Sequence, residues 1–168
     1  KDILVPHQVL RWYQTEKKID AMIRAEIALA IPFANSNRPD LPGRTRTDIR
    51  NLREQALNEL VKQTQKQEKT FWYRYRQYSK KMVAMEDRAT ELIEEYAANY
   101  DTISQEQALR MAKEAADIDA DRLARLQTVI RGLQATLSAR QMVRFLQVEL
   151  KFDALVDAGL ALAIPISE

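Results

Sequence analysis

His7 is the only histidine of the chain, and there is no cysteine. That excludes thiolate catalysis, a Cys-ligated metal and a disulfide. One imidazole among scattered carboxylates also does not make a Ser-His-Asp triad or a His-based metal centre. His7 reads as a surface residue in the first turn of a helix. Asp117, Asp119 and Asp121 alternate along a helical stretch, where residues two apart point in different directions, so they do not converge on a cation. No Gly-rich phosphate loop occurs. These patterns assign no catalytic, metal-binding or cofactor-binding residue, and the chain reads as a non-enzyme.

Two other groups remain. Glu16 and Glu149 each sit on an apolar helix face, between Trp12 and Ile19 in one case and Phe145 and Phe152 in the other. A carboxylate there needs a cation, supplied by Arg11 or Arg144 or by an arginine of the basic stretch that follows. General acid–base work would require a second converging group and a cleft, and neither is visible. The second group is Phe71-Trp72-Tyr73-Arg74-Tyr75-Arg76-Gln77-Tyr78. Phe71, Tyr75 and Tyr78 belong to a helix seam. Trp72, Tyr73, Arg74 and Arg76 point elsewhere, and with Trp12 they form a candidate interaction surface. Interleaved arginine and aromatic residues can stack bases or hold unfolded protein, or the arginines can lie over the rings of a packed helix. No nucleic-acid fold signature accompanies them, so nucleic acid is not assigned as a partner.

The elements behind these residues are helices. Three Gly and five Pro in 168 residues, with 46% apolar and 30% charged residues, describe long amphipathic helices. The most informative stretch occurs twice. Residues 4–33 and 137–166 align without gaps at an offset of 133, with 14 of 30 positions identical. Arg11/Arg144, Glu16/Glu149, Lys18/Lys151, Asp20/Asp153 and a closing LAIP are kept. Most differences exchange one apolar residue for another. Residues 1–33 are therefore a copy of the terminal helix, read as the tail of a preceding unit. Residues 34–45, rich in Pro and Gly, are a linker, and 46–168 form one helical unit. The copies are expected to pack in equivalent environments, each glutamate meeting a basic partner. Without its native neighbours, the first copy exposes Trp12, Ile19 and Ile23 unless another chain or the second unit covers them.

Within 46–168, Ile49, Leu52, Ala56, Leu60 and Val61 mark one stripe. The polar run at 62–69 interrupts it. Phe71, Tyr75, Tyr78, Met82, Met85, Ala89, Leu92 and Tyr96 then follow at spacings of four and three, a seam for a helix packed at a shallow angle. After the turn at 99–102, a further stripe runs through Leu109, Ala112, Ala116, Leu123, Leu126, Ile130 and Leu133. The sum is an all-α chain of about five helical segments, folded as elongated antiparallel hairpins in a bundle. No apolar run approaches the length of a membrane span.

Ser104-Gln-Glu-Gln107 and Ser138-Ala-Arg-Gln141, each preceded by an apolar residue, are capping boxes: the serine hydroxyl accepts from the third residue's N–H, and the glutamine returns to the serine N–H. Thr64-Gln-Lys-Gln67 fits the same pattern, so a helix can restart there. Such Leu/Ile-Ser/Thr-x-x-Gln boxes resemble the LTXXQ-motif family, the Spy/CpxP-like periplasmic proteins. The run Tyr96-Ala-Ala-Asn-Tyr-Asp-Thr-Ile-Ser104 and the stretches Arg144–Lys151 and Leu162–Pro165 are similar to uncharacterised exported bacterial members. The resemblance covers about 60–166 and implies an exported, periplasmic helical protein. In the family some members act as ATP-independent chaperones or envelope-stress regulators, and others sense metals. The implied partners are unfolded clients or a protein surface, with self-association. The alternative is an accessory subunit docking on a larger envelope assembly.

Charge is divided unevenly. Residues 44–81 hold 11 Lys/Arg against 4 Asp/Glu, and 86–121 hold 11 Asp/Glu against 3 Lys/Arg. Folded antiparallel, the two stretches attract each other; otherwise the basic one offers a surface to a polyanion or an acidic partner.

Overall fold

The computed structural model describes residues 12, 15–24, 46–99 and 102–163, and every regular element among them is helical. Residues 15–24 belong to α1; α2 is Arg46–Val61, α3 Gln65–Asn99, α4 Gln105–Leu133 and α5 Ala139–Ala163. His7, Arg11 and the linker at 34–45 lie outside the described residues.

The helices form a bundle. α2 doubles back beside the start of α3, α3 packs along α4, and α2 packs along α5. Long-range bonds give the directions. Lys62 and Leu60 at the end of α2 meet Gln141 and Arg144 at the start of α5. Arg53, further back in α2, meets Asp153 further on in α5. Arg122 of α4 pairs with Asp157 of α5, and Arg110 of α4 with Glu95 of α3. Neighbours along each of these pairings are antiparallel.

One continuous core fills the four-helix body. It joins Leu57 and Val61 of α2, Phe71, Tyr75, Tyr78 and Met82 of α3, Val129 and Leu133 of α4, and Phe145, Val148, Phe152 and Leu155 of α5. Its rings pack in offset and edge-to-face contacts: Phe71 meets Phe145 edge-on at 6.2 Å and lies nearly parallel to Tyr75 at 6.0 Å. At 35 residues, α3 is ~52 Å long, more than twice the length of α2. It therefore runs past the body, and α4 returns with it. This two-helix arm carries a small separate cluster of Tyr96, Ala108 and Met111, with Leu92, Ile103 and Ala112 against it.

The seam of α3 buries Phe71, Tyr75, Tyr78, Met82, Met85 and Tyr96, as its spacing requires. The α4 stripe holds near its end, where Leu133 is buried and Leu126 and Ile130 pack against the core, and is displaced by one residue further back. Ala108, Met111, Ile118, Val129 and Leu133 are buried, while Leu109 and Leu123 are exposed. The reason is that Arg122 and Arg125 occupy two seam positions, both half-buried, so the seam looks polar and its apolar neighbours look like the stripe. In α2 the stripe holds at Val61, which is buried; Arg53 and Leu57 are the other buried positions, and Ile49, Leu52, Ala56 and Leu60 flank them.

Charge does not pair as two attracting stretches. Among the described ion pairs, only Arg50–Glu86, at 3.3 Å, joins the basic stretch to the acidic one. Arg88 and Arg110, which answer Glu114, Asp121 and Glu95, belong to the acidic stretch itself. Both helices of the arm are thus acidic, and the basic stretch lies in the body.

Candidate functional site

The three capping boxes sort by place. At the arm tip, Gln107 N–H donates to Ser104 Oγ at 3.2 Å and Ser104 N–H donates to Gln107 Oε1 at 2.9 Å, a complete box that starts α4. Ser138 and Gln141 repeat both bonds, at 3.3 and 2.9 Å, at the start of α5. Thr64 makes half a box: its N–H donates to Gln67 Oε1 at 2.9 Å, while the Gln67 N–H goes to the Thr64 carbonyl.

The boxes of α3 and α5 face each other. The Gln67 and Gln141 side-chain amides bond reciprocally at 3.1 and 3.2 Å. Gln67 Nε2 also donates to the Thr136 carbonyl at 2.6 Å, and Gln141 Nε2 to the Lys62 carbonyl at 3.0 Å. Arg144 adds a bond at 3.0 Å to the carbonyl of Leu60, one of the carbonyls a helix end leaves without an intrahelical donor. The two glutamines therefore tie the end of α2, the start of α3, the α4–α5 turn and the start of α5 into one knot. Lys62 lies inside it with φ of 50°, a left-handed conformation that disfavours any residue with a Cβ.

Below the knot lies a buried ionic cluster. Glu149 is completely buried. Arg53 Nη1 is 3.6 Å from Glu149 Oε2, and Arg53 Nη2 is 3.2 Å from Asp153 Oδ1. The guanidinium also lies 5.7 Å from the centre of the Phe152 ring. Burial pushes the Glu149 carboxyl up to about 7, with Arg53 opposing it, Asp153 adding to it, and the Tyr78 and Tyr75 hydroxyls favouring the ionised form. Neither Glu149 oxygen nor the Tyr78 hydroxyl reaches good hydrogen-bond geometry, so these weak hydroxyl contacts do not offset burial. Burial first, then Glu149, also raises Tyr75 and Tyr78, and burial raises Asp153. Burial works against the charge of Arg53, and Glu149, Asp153, Tyr75 and Glu86 together outweigh it. The cluster fixes which turn of α2 faces which turn of α5, because any slip would strand buried charge.

The sequence expected each glutamate of the repeat to meet a basic partner in an equivalent setting. Glu149 has such a partner, and it is Arg53 of the basic stretch rather than Arg144. The equivalence fails. Glu16 is exposed, as are Trp12 (58%), Ile19 (49%), Met22 and Ile23, whereas Phe145, Phe152 and Leu155 are buried. α1 instead turns its opposite side inward: Ala21 is buried, and Lys17 pairs with Asp119 of α4. The physical reason is that the slot formed by α2 and α3 is filled by α5.

The structure also divides the aromatic cluster. Trp72, half-buried, and Arg76 line a groove of about 720 Å³ between α2 and α3, with Lys69, Glu68, Asn51 and Gln55. Trp72 is held edge-on by Phe71 at 5.1 Å and Tyr75 at 5.6 Å. Arg74 turns towards α4, where a Cβ on Gly132 would come within 2.9 Å of its Nη1. Tyr73 points to solvent, 65% exposed. None of the buried cluster lines the groove. Asp119 and Asp121 are directed to Lys17 and Arg88 respectively, and Asp117 is exposed.

Sequence reasoning pointed to an arginine of the basic stretch without naming Arg53, gave Asp153 only as a repeated position, and missed Arg122 and Asp157. Arg53 stands four residues from both Ile49 and Leu57, which makes it an inward position. Asp153 follows Glu149 by four, and the same pair recurs as Glu16 and Asp20. Among the described residues no helix is long and apolar enough to cross a membrane. Comparison of the chain with family models, curated proteins and solved structures finds no match.

Proposed function

We propose that the chain is a non-enzymatic, exported helical binding protein with Spy-like chaperone or envelope-stress activity. The observation that carries this reading is the outward apolar face of α1, where Trp12, Ile19, Met22 and Ile23 are all about half exposed or more. Clustered large apolar side chains on a surface mark binding to protein or membrane. The groove beside Trp72 and Arg76 adds aromatic and cationic contacts, suited to unfolded segments with mixed side chains. The capping boxes and the resemblance they carry supply the exported, chaperone-like class.

The test is suppression of aggregation of an unrelated unfolding protein. Near-stoichiometric amounts of the chain should suppress light scattering, and the double variant Trp72→Ala/Arg76→Ala, which strips the groove of its ring and one cation, should weaken the effect. No suppression at a large molar excess would sink the chaperone reading. A second reading, an accessory subunit that docks on a larger assembly, is favoured by one specific fact: the exposed face of α1 has the sequence of a core-facing helix.

A further inference from the structure

α1 shows one side to α4 and the other to solvent, and the solvent side is the one that α5 buries. Trp12, Glu16, Ile19 and Ile23 stand in register with Phe145, Glu149, Phe152 and Val156. The first three of the α5 residues are fully or almost fully buried, and Val156 is half-buried. Their slot is built from Leu57 and Val61 of α2 and Phe71, Tyr75 and Tyr78 of α3, with Arg53 opposite the glutamate.

We infer that the outward face of α1 docks into a slot of this kind on a partner, a pair of helices presenting aliphatic and aromatic side chains around one inward-facing arginine. This deepens the binding-protein reading and rests on it. Charge complementarity selects the occupant. Glu16 lies in the middle of the apolar face, so whatever covers that face must answer a carboxylate. A second α1 would bring another glutamate to the same face. An anionic lipid surface would bring more negative charge. This chain's own slot already holds α5. An arginine-bearing helical slot meets each requirement, and the structure shows it doing so for Glu149.

Two experiments test it. In the full-length chain, Phe145→Trp, Phe152→Ile, Leu155→Met and Val156→Ile together place the α1 face, around an unchanged Glu149, against Arg53. Hydrophobic exchanges that conserve pattern and approximate volume are tolerated, so a single cooperative transition should persist with the melting temperature lowered by no more than roughly 15 °C. Independently, a synthetic peptide of residues 4–33 is added to the full-length Phe152→Ala chain, whose α5 is loosened. The peptide should raise the melting temperature in proportion to its concentration, and a Glu16→Lys peptide should not. Loss of cooperativity in the first experiment together with no peptide effect in the second overturns the inference. So does sedimentation of the unmodified chain as a dimer that Ile19→Asp dissolves, or its co-sedimentation with phosphatidylglycerol vesicles. If aggregation suppression fails while the peptide binds, the chaperone reading falls and the docking slot stands.

Discussion

α5 and the start of the chain carry nearly the same helix in opposite circumstances. In α5, Phe145, Glu149 and Phe152 are sealed against α2 and α3. In α1, Trp12, Glu16 and Ile19 face water, and Ala21 is the buried residue. A shared sequence pattern therefore specifies which slot a helix suits, and the surrounding helices decide whether it is in one. What distinguishes the two is the partner surface: Arg53, Tyr75, Tyr78 and the glutamine knot exist once among the described residues.

The comparison breaks most sharply at paired apolar positions. Phe145→Ala should cost about 3–5 kcal/mol in urea unfolding, the range for a buried aromatic. Trp12→Ala should stay within about 0.5 kcal/mol, as for an exposed site. Equal losses would mean that the two faces are equally covered.

The next contrast is in pH dependence. The Glu149 carboxyl lies near 7 in the folded protein against an ordinary value of 4.5. The fold then holds this proton more tightly than the unfolded chain does. Stability from Glu149 is fully present below about pH 4.5 and is lost as pH rises through about 7, a change of about 3 kcal/mol. Unfolding midpoints between pH 5 and pH 8 should fall in the parent and flatten in Glu149→Gln. A parent slope of the opposite sign would mean that Arg53 outweighs burial.

A smaller contrast sets the body knot against the arm tip. Gln107 serves one cap, whereas Gln141 serves a cap, the Lys62 carbonyl and Gln67. Gln141→Ala should cost about 2 kcal/mol and Gln107→Ala about 0.5–1 kcal/mol, since Gln141 adds part-buried bonds to Gln67 to its cap, whereas Gln107 holds an exposed cap alone. Similar losses would remove the knot from the energetics.

Much of the architecture was readable from periodicity, and the exceptions have physical causes. Phe71 to Tyr96 repeat at four and three without a polar interruption, so the α3 seam was plain. Arg53 and Arg122 stand at inward positions but look like surface residues, because their partners are distant in sequence: Asp153 is 100 residues from Arg53, and Asp157 is 35 from Arg122. The boxes could be read as local caps, because a cap needs only its own turn. That Gln67 and Gln141 would also bond each other depends on how α2 folds back, and no local pattern encodes it.

The outward setting of α1 against the inward setting of α5 can be measured at one matched pair. The chain has no cysteine, so Met22→Cys and Leu155→Cys each introduce a single thiol at equivalent positions of the repeat. Under native conditions the thiol at 22 should react with a small thiol reagent nearly as fast as in urea. The thiol at 155 should react only as fast as the protein opens, many-fold more slowly. Equal protection of both thiols would contradict the division between the two copies.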